Sequence, residues 1–198
     1  MKKLIGLIFI SLMLVNFCPK VSYSQTASVP INITVNGTLT VSDSINDSNA
    51  GKNPTINVNL SVIPDLGAAE VVGEANFRLR TNRSTWRLTA QRTQETDSGP
   101  TNITAKDVGL LITTLAGSNA NSMAGTIVSP FNAKTDLSSV STSQPVDVVN
   151  GTSKTSTTRD NGNANNYFQI NTKYSVLPDF FYQPGTWSTT VTYNFVSP

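Results

Sequence analysis

The sequence predicts an all-β protein, a single antiparallel β-sandwich of about eight strands. Three observations carry this. Apolar residues recur at every second position in several short runs, the signature of a strand with one buried face. The outward positions of those runs are rich in Thr, Ser and Asn, and Thr suits an exposed strand face. No stretch of usable length carries a helical period, and turn-forming residues separate the runs.

Taken in order, Val29, Ile31, Ile33, Val35, Leu39 and Val41 share one parity, and Gly37 marks a bulge or a change of partner within that long run. A polar loop, SDSINDSNAGKNP, follows. Ile56, Val58, Leu60 and Val62 alternate again. Phe77 and Leu79 alternate, as do Trp86, Leu88 and Ala90, and the turn residues Thr81 to Ser84 between them suggest a hairpin. Val108 to Leu115 is a continuous apolar run that reads as a central strand. Short strands are expected near Thr126–Val128 and Val146–Val149, the latter inside a Ser-, Thr- and Asn-rich stretch. Tyr167–Val176 and Trp187–Val196 complete the set. Strands spaced in this way suit a Greek-key, immunoglobulin-like sandwich.

Residues 1–24 read as a secretory signal peptide. Lys2 and Lys3 precede an apolar run of about fourteen residues, and Ser22-Tyr23-Ser24 offers a cleavage pattern before Gln25. A lipid anchor on Cys18 is the rival reading, and Phe17 is large for the position before such a cysteine. Residues 25–198 form the expected sandwich domain, exported to the cell surface or beyond, or held in a periplasm on the way, with no membrane span once the signal is cut. Without Lys2, Lys3 and Lys20 the chain carries 11 basic and 12 acidic residues, so the pI near 8.7 belongs to the precursor. That balance offers no basic patch for nucleic acid.

The sequence has no histidine and one cysteine, Cys18. Zinc sites on those ligands and His-assisted nucleophiles are therefore excluded downstream of the signal, and no cofactor is expected. Glu70 with Glu74, or Glu95 with Asp97, are the carboxylate pairs a hydrolase would need, and solvated surface charge is the plainer reading. Asp160 to Asn166 offers oxygens at alternate positions, as calcium prefers, yet lacks the bidentate Glu and the glycine spacing of a calcium loop. The seven Asn-x-Ser/Thr sites follow from composition. Arg78, Arg80 and Arg87, on a hairpin, would lie opposite the apolar set and make a cationic face for acidic polysaccharide or the cell wall, or a charged face that protects an edge. Trp86 and Trp187, each in phase with its apolar set, are expected in the core; an exposed indole would instead be a sugar-stacking platform.

The segment PGTWSTTVTYNF carries a likeness. Gly185 is fourteenth from the C-terminus, and Val191, Tyr193 and Phe195 alternate after it. In this the chain resembles subunits of chaperone–usher pili and the related spore-coat-U-like secreted proteins, although Ser197 stands where those have a penultimate aromatic. The resemblance implies a structural or adhesive, non-enzymatic subunit, possible partners being like subunits or a secretion chaperone. It also implies that Val29, Ile31, Ile33 and Val35 complete a neighbour's sandwich; pairing within their own chain is the alternative. A second likeness is to WxL-type wall-binding domains. Trp86-Arg87-Leu88 looks like their first motif, and Trp187 to Phe195 like the segment that holds the second, with Tyr193-Asn194-Phe195 in place of Trp-x-Leu. That resemblance implies a module that binds cell-wall polysaccharide.

Overall fold

Inward-facing side chains of alternating strands can be buried only if a second layer covers them, and two antiparallel sheets packed face to face provide that layer. A computed structural model describes residues 39–43, 54–117, 119–157 and 166–197, with backbone only for the first of these spans. The described residues all lie in one compact unit, 36–198. They form a β-sandwich, as the alternation implies. The signal segment and the strand proposed over Val29–Val35 lie outside the described residues, as do Asp160 to Asn165.

Among the described residues there are eleven strands: β1 (Leu39–Asp43), β2 (Val71–Thr81), β3 (Trp86–Arg92), β4 (Thr96–Ser98), β5 (Val108–Thr114), β6 (Gly125–Ile127), β7 (Thr135–Asp136), β8 (Val146–Gly151), β9 (Phe168–Val176), β10 (Thr186–Ser188) and β11 (Val191–Val196). Seven have five residues or more; of the four shorter ones, β6 overlaps the short strand expected near Thr126–Val128 and β10 the start of that expected over Trp187–Val196, whereas β4 and β7 leave no periodic trace in the sequence. One sheet has the order β1-β2-β9-β5-β7, the other β11-β3-β8-β6, and β10 pairs with β4 in a small ribbon. All these ladders are antiparallel.

The expected hairpin between Phe77 and Trp86 does not form. β2 pairs with β1 and β9, whereas β3 pairs with β11 and β8. Residues 82–85 instead carry the chain from one sheet to the other. The physical reason is burial: Phe77 and Leu79 on one sheet, and Trp86 and Leu88 on the other, fill the same core from opposite sides. A hairpin would place both sets in one layer and leave them uncovered. β5 is interior but not central. It lies between β9 and the two-residue β7, and β9 occupies the middle of its sheet. Within the Ser-, Thr- and Asn-rich stretch, Leu137–Ser139 forms a 3-10 turn capped by the Asp136 carboxylate, which accepts from the Ser138 N–H at 3.0 Å.

At one end of the core Trp86 is 1% exposed. Its ring meets Phe168 and Phe195 edge-on, with centroids 5.4 and 5.2 Å apart. Its Nε1–H donates to the Ser153 carbonyl at 2.8 Å, so the indole's polar atom is satisfied. Buried threonines close the same end: Thr81 N–H donates to Thr155 Oγ1 at 3.0 Å, and Thr155 Oγ1 donates back to the Thr81 carbonyl at 3.1 Å.

Candidate functional site

Ile56, Val58, Leu60 and Val62 alternate in the sequence, and the structure keeps that alternation. These four are half-buried against the core, and Thr55, Asn57, Asn59 and Ser61 face solvent. Yet residues 54–62 join no strand ladder among the described residues. The segment is a strand in side-chain pattern without a ladder partner among the described residues. Val58 and Leu60 lean over Gly73 of β2, where a Cβ would lie 2.4 Å from Val58 Cγ1. The segment thus covers the inner face of the five-stranded sheet, on the side where the four-stranded sheet has run out.

Among the described residues that second sheet ends at β11, which pairs with β3. Between β11 and residues 54–60 runs an open groove of about 820 Å³. Residues 187–195 form one wall and Pro54–Leu60 the other, and the floor is Ala75, Phe77, Val108, Leu137 and Tyr174. Each wall therefore presents an extended backbone edge without a ladder partner among the described residues, and the floor is part of the sandwich core. An open edge of this kind is a template for another strand.

Tyr174 of β9 and Tyr193 of β11 bring their hydroxyls to 2.9 Å across the floor. Both also reach Thr172, whose hydroxyl donates to the Ala75 carbonyl at 3.0 Å. Burial raises the Tyr174 hydroxyl above its ordinary 10.0, and burial, reinforced by Tyr174, pushes Tyr193 well above it. Both therefore stay neutral at ordinary pH. The Tyr193 ring also packs on Phe77 with centroids 5.3 Å apart. These polar groups satisfy one another, so an occupant need offer them nothing but apolar surface.

The residues singled out in the sequence fall in four places. Val191, Tyr193 and Phe195 line the groove, as does Trp187, whose Nε1–H donates to Glu95 Oε2 at 3.2 Å. Trp187 is only half-buried, unlike Trp86. Trp86 and Leu88 are core residues. Gly185 sits where β10 approaches β4, and a Cβ there would lie 2.7 Å from the Ser98 carbonyl oxygen. Arg78 and Arg80 lie on the outer face of the five-stranded sheet, with guanidiniums 4.5 and 5.0 Å from the Tyr167 ring centroid. Arg87 is on the other sheet, 3.4 Å from Asp147, so the three arginines do not share a face.

The imagined carboxylate pairs are each taken up separately. Glu70 pairs with Lys134, Glu74 accepts from Asn171 at 3.0 Å, Glu95 holds Arg92 at 3.0 Å, and Asp97 accepts from Thr101 at 2.5 Å. Sequence reasoning missed Ala75 and Tyr174, because their role depends on two sheets meeting. The period-two pattern reports one strand at a time.

The sequence matches no family model and no curated protein. Among the described residues no helix is long and apolar enough to cross a membrane.

Proposed function

We propose that this chain is an exported, non-enzymatic structural or adhesive subunit of a cell-surface assembly, of fimbrial type, and that its groove receives a strand from a neighbouring copy. The observation that carries the reading is a pair of extended edges, β11 and residues 54–62, that have no ladder partner on the groove side among the described residues and flank an apolar floor. A strand laid between them would gain two ladders and bury alternate side chains over Ala75 and Phe77. The segment that fits by sequence is Gln25–Val35, with Ala27, Val29, Ile31, Ile33 and Val35 on one parity. Pro30 lies early in it, where the missing N–H costs least.

The alternative, a wall-binding module of WxL type, gains less from the geometry. The indole of its Trp86-Arg87-Leu88 motif is buried and its N–H is used internally. Trp187 remains a partly exposed indole that a sugar could meet.

The test uses a synthetic peptide of residues 25–35 added to the exported chain. Binding only to the folded state raises stability by about 2.7 kcal/mol at a peptide concentration of about 100 Kd. A rise in melting temperature that is lost when Ile31 and Ile33 of the peptide become Asp supports strand insertion. No rise, together with binding of wall polysaccharide that is lost on Trp187→Ala, would favour the other module.

A further inference from the structure

Ile63, Leu66, Val72, Leu177, Phe180 and Phe181 are exposed, by 41% to 86%. All six belong to one end of the sandwich. Val71 of β2, Val176 of β9 and Val108 of β5 are register partners in a single row across the five-stranded sheet. Val72 follows Val71, Leu177 follows Val176, and Ile63 and Leu66 lie in the turn that feeds β2. Phe180 and Phe181 sit in the loop after β9. That loop is held rather than loose. Phe181 N–H donates to Asp179 Oδ1 at 2.8 Å, the Phe181 carbonyl accepts from Asn102 Nδ2 at 3.2 Å, and Gln183 N–H donates to the Thr101 carbonyl at 3.1 Å. A braced loop that holds two phenylalanines in water marks an interaction surface.

The area says how large a partner the end can take. Large apolar residues each present about 200 Å² when bare, so the six leave about 800 Å² in water. A monomer's largest apolar patch is about 300–600 Å², and a stable protein interface buries about 800 Å² on each partner. The end therefore exceeds what a solitary domain leaves open and matches one side of an interface.

Composition says which partner. Among the described residues the one other exposed large apolar side chain is Met123, beside β6. A second copy can thus return apolar surface for apolar surface only through this same end. An anionic lipid surface fits less well. Asp65, Asp107 and Asp179 outnumber Lys106 in these loops, and Lys134 is already paired with Glu70.

We infer that two copies of this chain dock through these like ends about a two-fold axis, with Phe180 and Phe181 at the contact. A contact between identical surfaces closes on itself, so this end gives a dimer and no larger species. The pairing does not depend on what fills the groove. Because the acidic loops of the two copies come together, salt should tighten the dimer by screening them.

Sedimentation of the exported chain over a concentration series tests it. The expected result is a monomer–dimer equilibrium that shifts toward dimer as sodium chloride is added. Phe180→Ser with Phe181→Ser should raise the dimer Kd about tenfold or more. Measured below the wild-type dimer Kd, the melting temperature of that variant should equal the wild type's, and Met123→Ser should leave the equilibrium unchanged. A monomer at every concentration would overturn the proposal, as would a dimer that the double variant still forms or that salt dissociates. Open-ended multimers lost in the double variant would show unlike surfaces meeting, which also overturns it. Multimers that persist in the double variant and that the 25–35 peptide blocks would belong to the groove, leaving strand insertion standing and this pairing refuted. Binding to phosphatidylcholine vesicles that the double variant loses, without any dimer, would assign the end to a lipid surface instead.

Discussion

Gly151 of β8 lies directly opposite Trp86 of β3, and the indole occupies the space where a side chain at 151 would stand. A Cβ built there would lie 1.9 Å from two atoms of the ring. Gly125 of β6, the next partner in the row, would clash with the same ring at 2.8 Å. Two glycines in adjacent strands thus make the slot that lets the largest side chain lie flat in the core. Gly151→Ala should destabilise the fold by about 3 kcal/mol, at the upper end for overpacking, because strand backbone cannot move aside. Trp86→Ala should cost about 3–5 kcal/mol. Denaturant titration of both variants checks this. An unperturbed midpoint for Gly151→Ala would show that the ring has room to shift.

Much of this core was legible in the alternation of apolar residues. Trp86, Leu88, Phe77 and Leu79 are inward because their parity says so. What parity cannot say is which sheet a strand joins, and so residues 82–85 read as a hairpin turn when they are a crossing between layers. The same limit applies to the groove. Ile56 to Val62 read plainly as a strand, and its side chains behave as one. That it has no ladder partner among the described residues is something no local pattern reports. β4 and β7 are too short to show a period at all.

Gly73 sets the position of the groove wall formed by residues 54–60. Val58 and Leu60 fill the volume above it, so Gly73→Val should lift residues 54–62 from the five-stranded sheet. The floor over Ala75 would then open to water. Hydrogen exchange should rise in 54–62, with β3 and β8 unchanged, and peptide 25–35 should bind at least about tenfold more weakly. Protection and affinity equal to the wild type would show that the segment does not depend on this glycine.

Tyr174 and Tyr193 carry a pH signature. Both hydroxyls are held above 10.0 in the folded chain, chiefly by burial. Unfolded tyrosines ionise near 10.0. Below that pH both states keep the proton, and stability does not vary on their account. Above it the unfolded state releases protons that the folded state retains, so stability falls as pH rises. Tyr174→Phe with Tyr193→Phe should flatten the alkaline fall, measured by urea midpoints from about pH 9 to pH 11. At neutral pH the double variant should lose about 1 kcal/mol for the missing hydrogen bonds, since both partners go together. An alkaline slope identical to the wild type would place the titration elsewhere.

Gly185 governs how Trp187 reaches the groove. β10 approaches β4 so closely that a Cβ at 185 would lie 2.7 Å from the Ser98 carbonyl oxygen and 2.7 Å from Thr101 Cγ2. Gly99, on the facing turn, has a φ of +105°, a conformation that disfavours any side chain. The two glycines let the chain fold tightly before Trp187, whose indole N–H then meets Glu95 while Glu95 also holds Arg92. Gly185→Val should push the ribbon apart and release the indole from Glu95, with the sandwich core intact. The expected result is a red shift and easier quenching of one tryptophan's fluorescence, because Trp86 remains enclosed by Phe168 and Phe195. The free energy of unfolding should fall by about 1–2 kcal/mol, well short of the Trp86→Ala loss. A loss as large as that of Trp86→Ala would mean that the β4–β10 ribbon is part of the cooperative core and not a local clamp on the groove's end.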